Sequence, residues 1–70
     1  MYLYITQNDV DRIYNDLMFY VTVYSNFEEL KDFSEEQIKA ALDDVCDIYY
    51  GHNLSLEGIA EKVIEILTDE

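Results

Sequence analysis

The sequence predicts a small all-α protein, a compact bundle of three main helices and one short helix. Three observations carry that expectation. Half of the 70 residues are hydrophobic, so the chain can bury a core. Apolar residues recur at spacings of three and four in three separate stretches, the signature of amphipathic helices. There is no proline to interrupt them.

Ser34 is followed by Glu35, Glu36 and Gln37, a capping box that starts the clearest helix. Ile38, Ala41, Leu42, Val45, Ile48 and Tyr49 supply its buried face, and Gly51 marks its end, with His52 and Asn53 continuing the turn. A last helix runs from about Leu56 to Thr68, with Ser55 as cap and Leu56, Ile59, Ala60, Val63 and Leu67 as its stripe. Val10, Ile13, Tyr14, Leu17, Val21 and Tyr24 fit a first helix capped by Asn8 or Asp9. Ser25 or Asn26 then starts a short helical segment from Phe27 to about Asp32. Phe19-Tyr20-Val21-Thr22-Val23-Tyr24 is also a run of strand formers. An α+β alternative with a short N-terminal hairpin, pairing residues 2–5 with 19–24, therefore stays open.

Seventy residues hold one domain, 1–70, and a core this small supplies only about 3–5 kcal/mol. Cys46 is the only cysteine, and no Cys/His grouping has the spacing of a structural zinc site. Neither a metal nor a cofactor is expected. The start, MYLYITQND, has no basic n-region, and no stretch approaches the ~20 apolar residues of a membrane span. The expectation is a cytoplasmic protein.

Charge is the strongest functional constraint. Sixteen Asp and Glu against four Lys and Arg leave a formal net charge of −12. Direct binding to nucleic acid or an anionic membrane is excluded, because those partners demand clustered cations. Glu57, Glu61, Glu65 and Asp69 follow one another at four-residue intervals on the last helix, a stripe about 18 Å long. Asp43, Asp44 and Asp47 add to it from the preceding helix. A solubilising face would mix signs at i, i+4, whereas this one repeats a single sign at a small cost in helix stability. Such a ridge suits a protein partner with a basic surface. Of the seven tyrosines, Tyr14 and Tyr49 fall on apolar faces, while Tyr50 sits at a helix end beside the acids and is the candidate interface anchor.

Catalytic constellations are missing. Cys46 and His52 have no third group to orient them, so an enzyme is not expected. Asp9-Val10-Asp11 opens like a calcium loop, but Tyr14 takes the glycine position and Tyr20 the bidentate glutamate.

The segments Asp47-Ile48-Tyr49-Tyr50 and Ser55-Leu56-Glu57-Gly58-Ile59 resemble the immunity proteins of nuclease colicins, small acidic four-helix inhibitors of secreted bacterial nucleases. That family carries similar Asp-Leu-Ile-Tyr-Tyr and Ser-Pro-Glu-Gly-Ile segments. The resemblance covers the C-terminal third only, and the family's prolines are missing. It implies toxin-contacting roles for Asp47, Tyr49 and Tyr50. Tyr49-Tyr50-Gly51-His52-Asn53-Leu54 likewise resembles the Tyr-Tyr-Gly-x-Asn-Leu segment of barstar-type ribonuclease inhibitors.

The sequence thus leads to a non-catalytic inhibitor that occludes the basic nucleic-acid site of another protein. Toxin immunity and phage-encoded anti-CRISPR or anti-restriction DNA mimicry are the two settings. The contacting residues would be Asp43, Asp44, Asp47, Tyr49, Tyr50, Glu57, Glu61, Glu65 and Asp69. The alternative is a homodimeric structural or adaptor module whose acidic surface is merely solvated.

Overall fold

A computed structural model describes residues 2–6 and 9–69. The elements are β1 (Tyr2–Tyr4), α1 (Val10–Tyr24), a 3-10 helix (Glu28–Asp32), α2 (Glu35–Ile48), β2 (Asn53–Ser55) and α3 (Leu56–Thr68). Three main helices and one short helix thus form the body, with a two-stranded antiparallel ribbon added.

Each helix boundary has a local cause. Ser34 caps α2 as a complete capping box: its Oγ accepts from the Gln37 amide at 3.2 Å, while the Ser34 amide donates to Gln37 Oε1 at 2.9 Å. Ser55 caps α3 by accepting from the Gly58 amide at 3.0 Å. Gly58 is suited to this cap, because a Cβ there would lie 3.2 Å from the Ser55 hydroxyl. The cap of α1 departs from expectation. Asp9 stands at the N-cap position, but its carboxylate accepts from the Thr6 hydroxyl and from Arg12 rather than from a helix amide. Asn8, the other expected cap, lies outside the described residues.

The 3-10 helix covers the short segment expected between Phe27 and Asp32, but neither Ser25 nor Asn26 starts it. Ser25 closes α1 with φ at 54°, and Phe27, with φ at 56°, precedes the 3-10 turn.

The ribbon also differs from the hairpin of the α+β alternative. β1 pairs with β2 in the register Leu3↔Leu54, while residues 19–24 are helical. The β-forming run is overruled because the i+4 series Ile13, Leu17 and Val21 buries completely only as a helix. Leu3 is buried between exposed Tyr2 and Tyr4, the alternation a one-sided ribbon requires. Pairing continues beyond β1: the Ile5 amide donates to the His52 carbonyl and the Gly51 amide to the Ile5 carbonyl, both at 2.9 Å. The N-terminal segment is thereby tied to the α2–α3 connection.

The core joins all three helices and the ribbon through Leu3, Ile5, Ile13, Leu17, Val21, Leu30, Ile38, Leu42, Val45, Ile59 and Val63. Two expected core positions are not in it. Ile48 is 65% exposed and Tyr24 64% exposed. Val10, Tyr14, Tyr49 and Leu67 are half-buried at its edge. Ile48 faces an open groove between α2 and α3, and Tyr24 closes the last turn of α1. No helix among the described residues is long and apolar enough to cross a membrane.

Candidate functional site

The carboxylates singled out from the sequence all stand at exposed positions. Asp43, Asp44 and Asp47 occupy the outer side of α2, and Glu57, Glu61, Glu65 and Asp69 that of α3 with its C-cap. The α3 series is not a straight ridge. At 3.6 residues per turn, each four-residue step over-rotates by about 40°. The stripe therefore winds across the outer face. Glu57 begins it beside Tyr20 and Tyr24 of α1, whereas Glu65 and Asp69 end it beside Ile48 and Tyr49 of α2.

Arg12 and Lys39 are placed elsewhere, whereas Lys62 stands among the α3 carboxylates and lines a groove with Glu65 and Asp69. Arg12 pairs with Asp9 at 3.1 Å, and Lys39 bridges Asp11 and Glu35 at 2.9 and 2.8 Å. These contacts join the first turns of α1 and α2. Both carboxylates hold Lys39 protonated, raising its pKa further above the ordinary lysine value. None of the seven carboxylates on the outer sides of α2 and α3 takes part in an ion pair among the described residues. No basic residue stands in the last turn of α1, α2 or α3, so the negative ends of all three helix dipoles lack a local counter-charge.

The two tyrosines of the α2 end differ. Tyr49 is half-buried, with the Lys62 ammonium 5.6 Å from its ring centre and the His52 ring against it edge-on at 6.4 Å. It helps line a groove of about 170 Å³ with Val45, Ile48, Lys62, Glu65, Ile66 and Asp69. Tyr50 is 58% exposed on the turn that follows α2. Gly51 makes that turn possible with φ at 82°, in the left-handed region where a Cβ is costly.

Cys46 is buried, and desolvation, reinforced by Asp43, Asp9 and Asp47, raises its thiol pKa and keeps it protonated. His52 is exposed. Among the described residues no group of three or more His, Cys, Asp and Glu is arranged to hold a metal ion.

Sequence reasoning missed one surface. Phe19, at 69% exposure, and Val23 stand outside the buried stripe of α1, and Phe19 lines a groove with exposed Tyr24 and half-buried Tyr20. The signal was present: Phe19 and Val23 are four apart and belong to neither the three–four stripe nor the polar face.

No family model, no curated protein and no solved structure matches this chain.

Proposed function

We propose that this protein is a non-catalytic inhibitor that covers the basic nucleic-acid-binding site of another protein. The observation that carries this reading is the outer side of α2 and α3, where seven exposed carboxylates have no ion-pair partner among the described residues. Placing like charges at i, i+4 costs helix stability, and a basic groove would offset that cost on binding. Steric cover and electrostatic competition with phosphates are the mechanism. Glu57, Glu61, Glu65, Asp43 and Asp47 meet Lys and Arg of the target, and Tyr50 supplies an amphipathic contact beside them. Two settings suit this mechanism. One is immunity to a nuclease toxin, in line with the resemblance of residues 47–59 to colicin immunity proteins. The other is antagonism of a CRISPR or restriction complex.

The test begins with capture of basic proteins from the producing strain and its relatives, with washes at low and high salt. The captured nuclease or defence complex is then loaded with labelled duplex DNA. The wild-type protein displaces the duplex, and Glu61→Gln/Glu65→Gln does so more slowly, with a flatter salt dependence. Equal displacement by both proteins would remove the carboxylates from the mechanism.

A second reading is a homodimeric module, favoured by the exposed Phe19, Val23, Tyr24 and Ile48. Two copies at −12 each repel one another, which weighs against it. A dimer would melt at a temperature that rises with protein concentration, and a monomer would not.

A further inference from the structure

Between the end of α1 and the start of α3 lies a groove of about 220 Å³, lined by Phe19, Tyr20, Tyr24, Ser55, Leu56 and Glu57. Its aromatic walls are unusually open, with Phe19 and Tyr24 both mostly exposed. The Tyr20 and Tyr24 rings lie 4.9 Å apart and tilted by 42°, so they form one continuous aromatic edge to the groove. Glu57 supplies the groove's only charge and has no ion-pair partner among the described residues. The negative end of α1 and the positive start of α3 both border the groove and offset one another, so Glu57 sets its charge.

We infer that this groove seats an arginine side chain of a protein partner. Its guanidinium pairs with the Glu57 carboxylate while its plane lies against the tyrosine rings. An aromatic wall beside a single carboxylate favours arginine over lysine, since a guanidinium is planar, more weakly hydrated and stacks on rings. Charge complementarity decides the occupant. A second copy of this chain is poorly equipped to fill the groove: its sole arginine, Arg12, is engaged by Asp9, and the copy brings a further −12. The inference rests on the proposed basic partner and makes it more specific. Glu57 is both the first carboxylate of the α3 series and the charge that lines the groove, so one arginine here fixes where the partner's basic surface begins along α3.

The probe is the capped tripeptide acetyl-Gly-Arg-Gly-amide, with acetyl-Gly-Lys-Gly-amide as comparison, titrated at low ionic strength into isotope-labelled protein followed by amide NMR. Saturable shifts are expected at Phe19, Tyr20, Val23, Tyr24 and Leu56–Glu57, with the lysine peptide weaker by about two- to fivefold. Glu57→Gln and Tyr24→Ala should each weaken the arginine peptide by about the same factor. Both positions are exposed, and circular dichroism verifies their fold. Phe19→Ala replaces Tyr24→Ala if the latter unfolds. Equal arginine and lysine shifts along Glu61, Glu65 and Asp69, with the groove amides unmoved, would overturn the arginine seat and leave the carboxylate face standing. Silence at every amide would count against both. Groove signals that broaden with protein concentration, without peptide, would give the groove to a second copy and overturn the inference.

Discussion

Gly51 and Asp9 show how single residues fix the N-terminal segment, one at the turn after α2 and the other at the start of α1. Gly51 turns the chain with φ at 82° and donates to the Ile5 carbonyl, so it both ends the α2 region and ties down the N-terminal segment. Gly51→Ala should cost about 1–2 kcal/mol from backbone strain alone. Chemical denaturation measures this directly, and an unchanged midpoint would contradict the strained turn. Asp9 is held below the ordinary carboxylate value of 3.8, first by the Thr6 hydroxyl and then by Arg12. Its folded pKa is depressed, so its stabilisation is present above 3.8 and is lost as pH falls through the folded value. The gap in Tm between the wild-type protein and Asp9→Asn should therefore narrow as acid is added below pH 4. A gap constant across that range would show that the contact does not depend on charge.

At the scale of elements, the helices were legible, as was a strand within residues 2–5, but the strand it pairs with was not. Capping chemistry made α2 and α3 readable: Ser34 with Gln37, and Ser55 with Gly58, form the hydrogen bonds that their spacing anticipates. α1 was read through the spacing of Ile13, Leu17 and Val21, despite strand formers from Phe19 to Tyr24. β2 offered no such signal. Asn53-Leu54-Ser55 holds no β-branched or aromatic residue, and its partner lies about fifty positions away in the chain, so only the folded core brings the two together. The winding of the α3 carboxylates was contained in the 3.6-residue turn, but which neighbour each end meets depended on helix packing. Glu61→Gln/Glu65→Gln removes a like-charge i, i+4 pair and should raise Tm slightly, with a gain of a few tenths of a kcal/mol. A lower Tm would mean that these carboxylates support the fold rather than strain it.

Over the whole molecule, charge segregation is the distinguishing property. The ion pairs gather at the first turns of α1 and α2, while seven carboxylates on the outer sides of α2 and α3 stand without an ion pair among the described residues, with Lys62 the cation beside Glu65 and Asp69. A net charge of −12 on a core this small should make stability sensitive to ionic strength. Raising sodium chloride from about 10 mM to about 200 mM shortens the screening length to below 10 Å and should raise Tm. A Tm indifferent to salt would show that repulsion is too well solvated to matter. The net charge was plain from the sequence, as was its concentration in the last two helices. The aromatic groove was not, because Tyr24 fits the apolar stripe of α1 and Phe19 the strand-forming run, and only the packing of α1 on α3 left both uncovered.

In the proposed function the carboxylates of α2 and α3 take the place of nucleic acid on a basic protein. Displacement of labelled duplex from the captured target, by the wild-type protein and by Glu61→Gln/Glu65→Gln across a salt series, tests it most directly. Displacement should weaken with salt and be slowed in the double variant. Wild-type and variant curves that coincide at every salt concentration would contradict it.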